Sequence, residues 1–235
     1  IYPPRLLEWD EAVAAGLCRA AAARVHRRHG ARLIQSLVPP EGASPLVRVL
    51  ERAGFEPLAT LSYMRRAIEP ADRGLEPPPG LVWLGYSRLR HRKFADTIAR
   101  TYEGSLDCPG LAGLRPIGDS IATHKHTGVF TPKAWRLALN DRRPLGVVMV
   151  NNLQGRGELA YLGVVPEARG RGTGRTLVDR AIRDTAEMGL PQMGLAADVG
   201  NEPAMRLYAA AGFKEIRRRL AYFIPGRRLE SLAAE

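Results

Sequence analysis

Lysine is scarce in this chain, at 4 residues against 31 arginines, and no run of five or six basic residues occurs despite a formal net charge of +11. That absence argues against a basic arm. The arginines are spread, with short clusters at Arg88 to Lys93, Arg217 to Arg219 and Arg227 to Arg228. Recognition of nucleic acid needs charge gathered on one face, so the spread gives no ground for expecting it. Cysteine is also rare: Cys18 and Cys108 stand 90 positions apart with no C-x-x-C spacing, which excludes a disulfide framework and reads as two reduced thiols in a cytoplasmic protein. Long apolar runs are missing as well. None reaches the ~18 residues of a membrane span, and the opening Ile1-Tyr-Pro-Pro-Arg5 is not a signal peptide. The first residue is not Met, so either the chain was processed or something upstream is absent. A hydrophobic fraction of 45% is nevertheless enough for a globular core.

Prolines gather in residues 69–80, EPADRGLEPPPG, where they block helix and internal strand pairing alike, so this segment reads as a linker. It divides residues 1–68 from a longer piece, 81–225, followed by a tail, 226–235. In the longer piece the pattern predicts a strand over Leu81 to Tyr86, helices over Arg92 to Tyr102 and Ile117 to His126, and a meander of strands over Ala134 to Leu139, Leu145 to Asn151 and Glu158 to Val165. A helix follows through Leu177, Val178, Ala181 and Ile182. Met193 to Asp198 then reads as a strand, Glu202 to Ala211 as a helix, and Phe213 to Ile224 as one strand or a bent pair. The expected class is α+β, a mixed central β-sheet flanked by helices.

The first piece carries an internal repeat. VLERAGFEPLATLSYMRR, residues 49–66, aligns with LYAAAGFKEIRRRLAYFI, residues 207–224, at a constant offset of 158. At the same offset Leu33 to Val38 falls on the Met193 strand and Glu11 to His29 on the helix before it. Residues 1–68 therefore read as a degenerate copy of only the second half of the fold.

Between the strand ending at Val165 and the following helix lies ARGRGTGRTL, residues 168–177. Glycines at a strand-to-helix junction expose amide N–H groups at the positive end of a helix dipole, which makes an anion site. Neither a dinucleotide fingerprint nor a triphosphate loop matches the spacing. The pattern Arg169-x-x-Gly172-x-Gly174 resembles the pyrophosphate loop of the GNAT superfamily of acyl-CoA-dependent N-acyltransferases. NEPAMRLYAAAGF, residues 201–213, is similar to that family's asparagine-to-glycine-phenylalanine helix, at the expected distance and with the expected strand between.

The resemblance, over residues 81–225, implies acetyl-CoA as cosubstrate and direct acetyl transfer to an amine of an unidentified small molecule or peptide. It implies main-chain contacts to the cofactor from Leu162, Gly163 and Val164, with an N–H near Val164 polarising the thioester. The pyrophosphate falls to Arg169, Gly170, Arg171, Gly172, Thr173, Gly174 and Arg175, and Asn201 serves the cofactor or a water, or caps its helix. Tyr208 is the implied proton donor to the thiolate, or else a core tyrosine. Glu158 is the implied base, or else a solvated residue at a strand start. Members acting on ribosomal-protein N-termini carry a glutamate where this chain has Ala196, with Asp198 a nearby substitute. Asp107 either meets a cationic amine or caps a turn, and His124 and His126 read as exposed loop residues without a metal. At the repeat offset the glycine loop becomes EAVAAG, residues 11–16, and Tyr208 becomes Leu50, so the half-copy is not expected to bind CoA. Tandem members, mycothiol synthase among them, likewise pair an active copy with a degenerate one. A non-catalytic CoA-binding module is the alternative.

Overall fold

A computed structural model describes residues 10–41, 43–76, 78–111 and 113–234; the opening segment 1–9, and Pro77 within the proline-rich stretch, lie outside them. The elements in chain order are α1 (Glu11–His29), β1 (Leu33–Val38), α2 (Ala43–Arg52) and β2 (Glu56–Ala67). Then come β3 (Val82–Gly85), α3 (His91–Tyr102), α4 (Ile117–Lys125), β4 (Trp135–Asn140), β5 (Arg143–Leu153) and β6 (Arg156–Val164). The chain closes with α5 (Thr173–Glu187), β7 (Gln192–Asp198), α6 (Glu202–Ala210), β8 (Lys214–Pro225) and α7 (Gly226–Ala234). The α+β class and the meander β4 to β6 are as the sequence predicts. Two places differ. The tail is largely the helix α7, whose Leu229 is buried against α1, and the linker is ordered by a short 3-10 helix, Pro70–Gly74.

All eight strands form one sheet in the order β1-β8-β2-β7-β6-β5-β4-β3. The first piece therefore does not sit apart: β2 lies between β7 and β8 and is antiparallel to both. The β2–β8 register sets Leu61 opposite Arg219, two residues 158 positions apart. Each strand also bulges once, at Leu58 and at Ile216, again 158 apart. Correspondingly β1 pairs with β8 as β7 pairs with β2, so a local two-fold axis passes between Leu61 and Arg219.

Alternation along the strands sorts the helices. Met64 and Leu195 are cross-strand partners and pack with Leu177, Val178 and Ile182 of α5. Ser62, two residues from Met64, faces Arg218, and the same side of β8 carries Tyr222 and Ile224 into the core beneath α1 and α2. Helices α1, α2, α5, α6 and α7 thus share one face. On the other face α3 and α4 cover only β3 to β6, through Phe94, Ile98 and Ile121 against Trp135, Leu137 and Met149. The opposite face of β7, β2 and β8 has no α-helix upon it among the described residues.

The proline-rich segment is tied down by charge. Arg66 of β2 donates twice to Asp72, Nη1 to Oδ2 and Nη2 to Oδ1, each at 2.8 Å, and the Glu69 amide donates to Asp72 Oδ2 at 2.7 Å. These bonds, those from Arg66 foremost, hold the buried Asp72 carboxyl below its ordinary 3.8. A folded-state pKa that is lowered contributes stability above 3.8 and loses it as pH falls through the folded value. Asp72→Asn should therefore cost about 2 to 3 kcal/mol in urea unfolding at neutral pH, and its curve should converge on wild type as the buffer is made more acidic than pH 3.8.

Candidate active site

The site begins with a strand pair that comes apart. β6 and β7 run parallel and pair only at Gly157 with Met193 and Glu158 with Gly194. Beyond these residues the β6 edge from Leu159 to Val164 faces a wedge. β6 also carries a bulge: Met149 pairs with Tyr161 and Val150 with Leu159, leaving Ala160 without a partner on β5. A bulge re-aims side chains, and here Ala160 and Tyr161 both pack toward α3 and α4. Tyr161 shares a 2.6 Å hydrogen bond with Thr101 and has its phenol pKa raised, chiefly by burial.

At the mouth of the wedge the chain turns through Gly170 and Gly172, at φ +69° and +79°, into α5. The amides of Gly170 through Arg175 make no hydrogen bond among the described residues, and with the α5 dipole they form a cradle for an anion. Arg171 is exposed beside it. Arg175 is instead bonded to Asp179 at 2.8 Å and to the Ala210 carbonyl at 3.3 Å. Arg169 departs from expectation. Its guanidinium donates to the carbonyls of Val164 (3.1 Å), Thr101 (3.0 Å) and Gly104 (3.2 Å), so it fastens the loop to the end of α3 instead of facing the cradle. Gly174 admits α6, since a Cβ there would lie 3.1 Å from Leu207 Cδ2.

Tyr208 projects from α6 into the core beside Phe213, with ring centroids 6.0 Å apart. Burial, then the charge of Asp107, push its pKa up, which keeps the phenol protonated. Asn201 is the α6 N-cap, its Oδ1 accepting from the Ala204 amide at 3.3 Å. Glu158 stands at the closed end of the wedge, 3.4 Å from Arg156 Nε. Its side chain lies over Gly194, and removal from water raises its pKa despite the flanking arginines.

Asp107 and Asp198 are brought together from separate elements. Asp198 accepts from the amides of Cys108 (3.2 Å) and Gly200 (2.9 Å), while Asp107 Oδ1 lies 3.5 Å from the Asp198 amide. Loss of solvation and the nearby Asp198 charge raise the Asp107 pKa, and the Cys108 thiol is pushed up to about 12 by burial and by the two carboxylates. His124 is not an exposed loop residue. It lies on α4 with its ring tilted against Tyr161, ring centroids 5.1 Å apart, and its pKa is driven down to about 4 by burial and Arg115. His126 is exposed at the end of that helix. Among the described residues no three metal-ligating side chains cluster.

The sequence pattern does not reveal that β2 lies beside β7, so it misses Tyr63 and Arg65 as neighbours of the wedge. The repeat alignment marks β2 as an equivalent of β8 and carries no information about which strand it pairs with.

A strand edge left open beside an amide cradle at a helix N-terminus is the arrangement of an acyl-CoA-dependent transferase. Residues 105–213 match the acetyltransferase (GNAT) family model. Mycothiol acetyltransferase of Thermomonospora curvata is 29% identical over 225 residues, covering 87% of this chain and 71% of that protein. The same-named protein of Tsukamurella paurometabola is 25% identical over 242 residues, covering 88% and 77%. A GCN5-related N-acetyltransferase from Kribbella flavida superposes with a TM-score of 0.59 at 20% identity, over 95% of this chain and 79% of that one. Residues 105–213 thus form a GNAT acetyltransferase domain, which makes the protein an N-acetyltransferase with acetyl-CoA as cosubstrate.

The packing behind the wedge is tight at Gly163. A Cβ there would lie 2.6 Å from Thr101 Oγ1 and 2.7 Å from the Tyr161 hydroxyl. Gly163→Ala should lower stability by about 1 to 3 kcal/mol in denaturant unfolding, and the loss should shrink when Thr101 is also replaced by Ala.

Proposed function

We propose that this protein transfers the acetyl group of acetyl-CoA directly to a primary amine of a small molecule or peptide, and that the β6–β7 wedge is where the transfer occurs. The carrying observation is the coincidence of the unpaired β6 edge with the free amides of Gly170 through Arg175. One feature binds an extended arm with amide groups, the other its pyrophosphate. The cradle residues are Gly170, Arg171, Gly172, Thr173 and Gly174, with Arg169 and Arg175 acting as fasteners of the loop and of α5. Leu162, Gly163 and Val164 lie nearest the cradle and contact the first part of the pantetheine arm. That arm carries two amides and has the reach of several strand residues at about 3.3 Å each. The thioester therefore falls deeper in the wedge, near the Ala160 bulge, and not beside Val164 as the family pattern suggests. A β6 amide there polarises the carbonyl as it gains charge.

The acceptor amine must be neutral to attack. Glu158, on the same sheet face as Ala196 and at the inner end of the wedge, removes its proton through a water, and its raised pKa suits that task. The tetrahedral intermediate collapses with cleavage of the C–S bond, and the Tyr208 hydroxyl gives its proton to the departing thiolate. Ala196 leaves no carboxylate on β7 at that level, so the mechanism rests on β6. Asn201 supports the site by capping α6, which carries Tyr208. Residues 1–68 are a degenerate half-copy, a reading supported by the 158-residue spacing of register and bulges. Similarity to mycothiol acetyltransferases favours a small-molecule acceptor. A purely CoA-binding module has no observation in its favour.

Free thiol released from acetyl-CoA with a panel of amines tests the reading. Tyr208→Phe should lower kcat by about 100-fold with a smaller change in KM. Glu158→Gln should remove the acidic limb of the kcat/KM profile, which in wild type rises through a pKa above the ordinary 4.5 of glutamate. Wild-type CoA binding with no amine-dependent release would sink the transfer. Gly172→Val, strained at φ +79°, should weaken CoA binding by about tenfold or more in calorimetry.

A further inference from the structure

The helix-free face of β7, β2 and β8 can be mapped from the strand registers. Its first row across the sheet is Glu158, Gly194, Arg65 and Lys214; the next is Ala196, Tyr63 and Arg217; the third is Asp198, Leu61 and Arg219. Two carboxylates, Glu158 and Asp198, flank the wedge. On the β2 and β8 side, Arg65 and Arg217 stand one and two strands beyond β7, within electrostatic reach of Glu158. The loop after α3 closes one end of this face, holding Asp198 through Cys108 and passing over Leu58 at Gly110. The row through Ala196, Tyr63 and Arg217 runs two residues along β7 past Gly194, the last residue paired with β6.

The cations there are not spent within the protein. Arg65, Lys214 and Arg217 are exposed, and none forms an ion pair or accepted hydrogen bond among the described residues, whereas Arg66 and Arg218 on the helix-bearing face are bonded to Asp72 and Glu215. Arg217 places its guanidinium carbon over the Tyr63 ring, 4.7 Å from its centroid, which positions the group without using its donors. Strands are about 4.8 Å apart, so the anion-seeking end of the row lies two steps, about 10 Å, from Ala196.

We propose that the acceptor is a carboxylate-bearing amine of about tripeptide length, its amine at the Ala196 end of the row and its carboxylate on Arg217 and Arg65. This rests on the transferase reading above. An extended chain covers roughly 3.4 Å per residue, so three residues span the distance. The amine end meets the carboxylates of Glu158, Asp198 and Asp107, and the opposite end meets guanidinium groups suited to bidentate carboxylate bonding. Such polarity orients the acceptor with its nucleophile at the wedge. Half of this specificity comes from β2, which gives the first 68 residues a part in substrate choice.

Triglycine and triglycine amide, which differ only in the terminal charge, probe the inference by calorimetry on the full chain saturated with CoA. The free acid should bind about tenfold more tightly than the amide. Arg217→Ala and Arg65→Ala should each bring the acid toward the amide while leaving the amide unchanged, and Arg217→Lys should retain part of the preference. Equal affinities for acid and amide, no binding of either, or an equal loss of both in the arginine variants overturns the proposal. Thiol release from acetyl-CoA, measured with the same two peptides, separates the two readings: a charge preference in binding without any release refutes the transfer and leaves the anion site standing.

Discussion

The two-residue length of the β6–β7 pairing is the constraint on which the rest of the structure depends. A parallel pair that stops at Glu158 and Gly194 leaves the β6 edge open on one side and would leave β7 poorly supported on both. β2 answers the second problem, since it pairs with β7 from Gln192 through Asp198. With its far edge fully bonded, β7 keeps its place while its near edge diverges. The wedge is thus held open by hydrogen bonds on the other side of the strand, and it needs the first piece of the chain as well as the second.

The organisation of charge follows from the same sheet. The face under α5 and α6 is apolar, and its few arginines are matched: Arg66 with Asp72, Arg180 and Arg136 with Asp184, Arg218 with Glu215. Pairing is required there because a buried unmatched charge is costly. On the opposite face beyond α3 and α4 no such pressure acts, and the cations of β2 and β8 remain open to solvent. The net charge of +11 therefore contains two populations of arginine. One is structural and neutralised; the other gives a local field beside the site.

Local patterns in the sequence carry the glycine loop, the α6 motif, the β4 to β6 meander and the class of the fold, because each depends on neighbours within a few residues. The strand order is a different matter. Offset alignment identifies β2 with β8, but whether β8 or β2 occupies the place beside β7 is decided by contacts between residues more than a hundred positions apart. Arg169 shows the limit at the scale of one side chain. Its position in the motif is legible, yet its three carbonyl partners lie on β6, on α3 and just past the end of α3, and only the assembled loop reveals a fastener. The helix α7 is not legible because nine residues with only two leucines offer too few repeats to establish a period before α1 supplies a partner surface.

The two-fold arrangement also sets two helix N-termini against one another, those of α1 and α5. At the position equivalent to the glycine loop, α1 begins with Asp10, whose carboxylate accepts from the amides of Ala12 and Val13 at 2.8 and 3.0 Å, and Glu11 follows in the first turn. That helix N-terminus already holds its own anion. A phosphate there would have to displace a tethered carboxylate and approach a second one, so both the donors and the favourable dipole are consumed internally. At α5 the N-cap is Gly172, which has no side chain to fold back, and no acidic residue stands in the first turn. The two helix starts thus differ in whether the first turn is satisfied from within, and a carboxylate at the N-cap of α1 makes that difference.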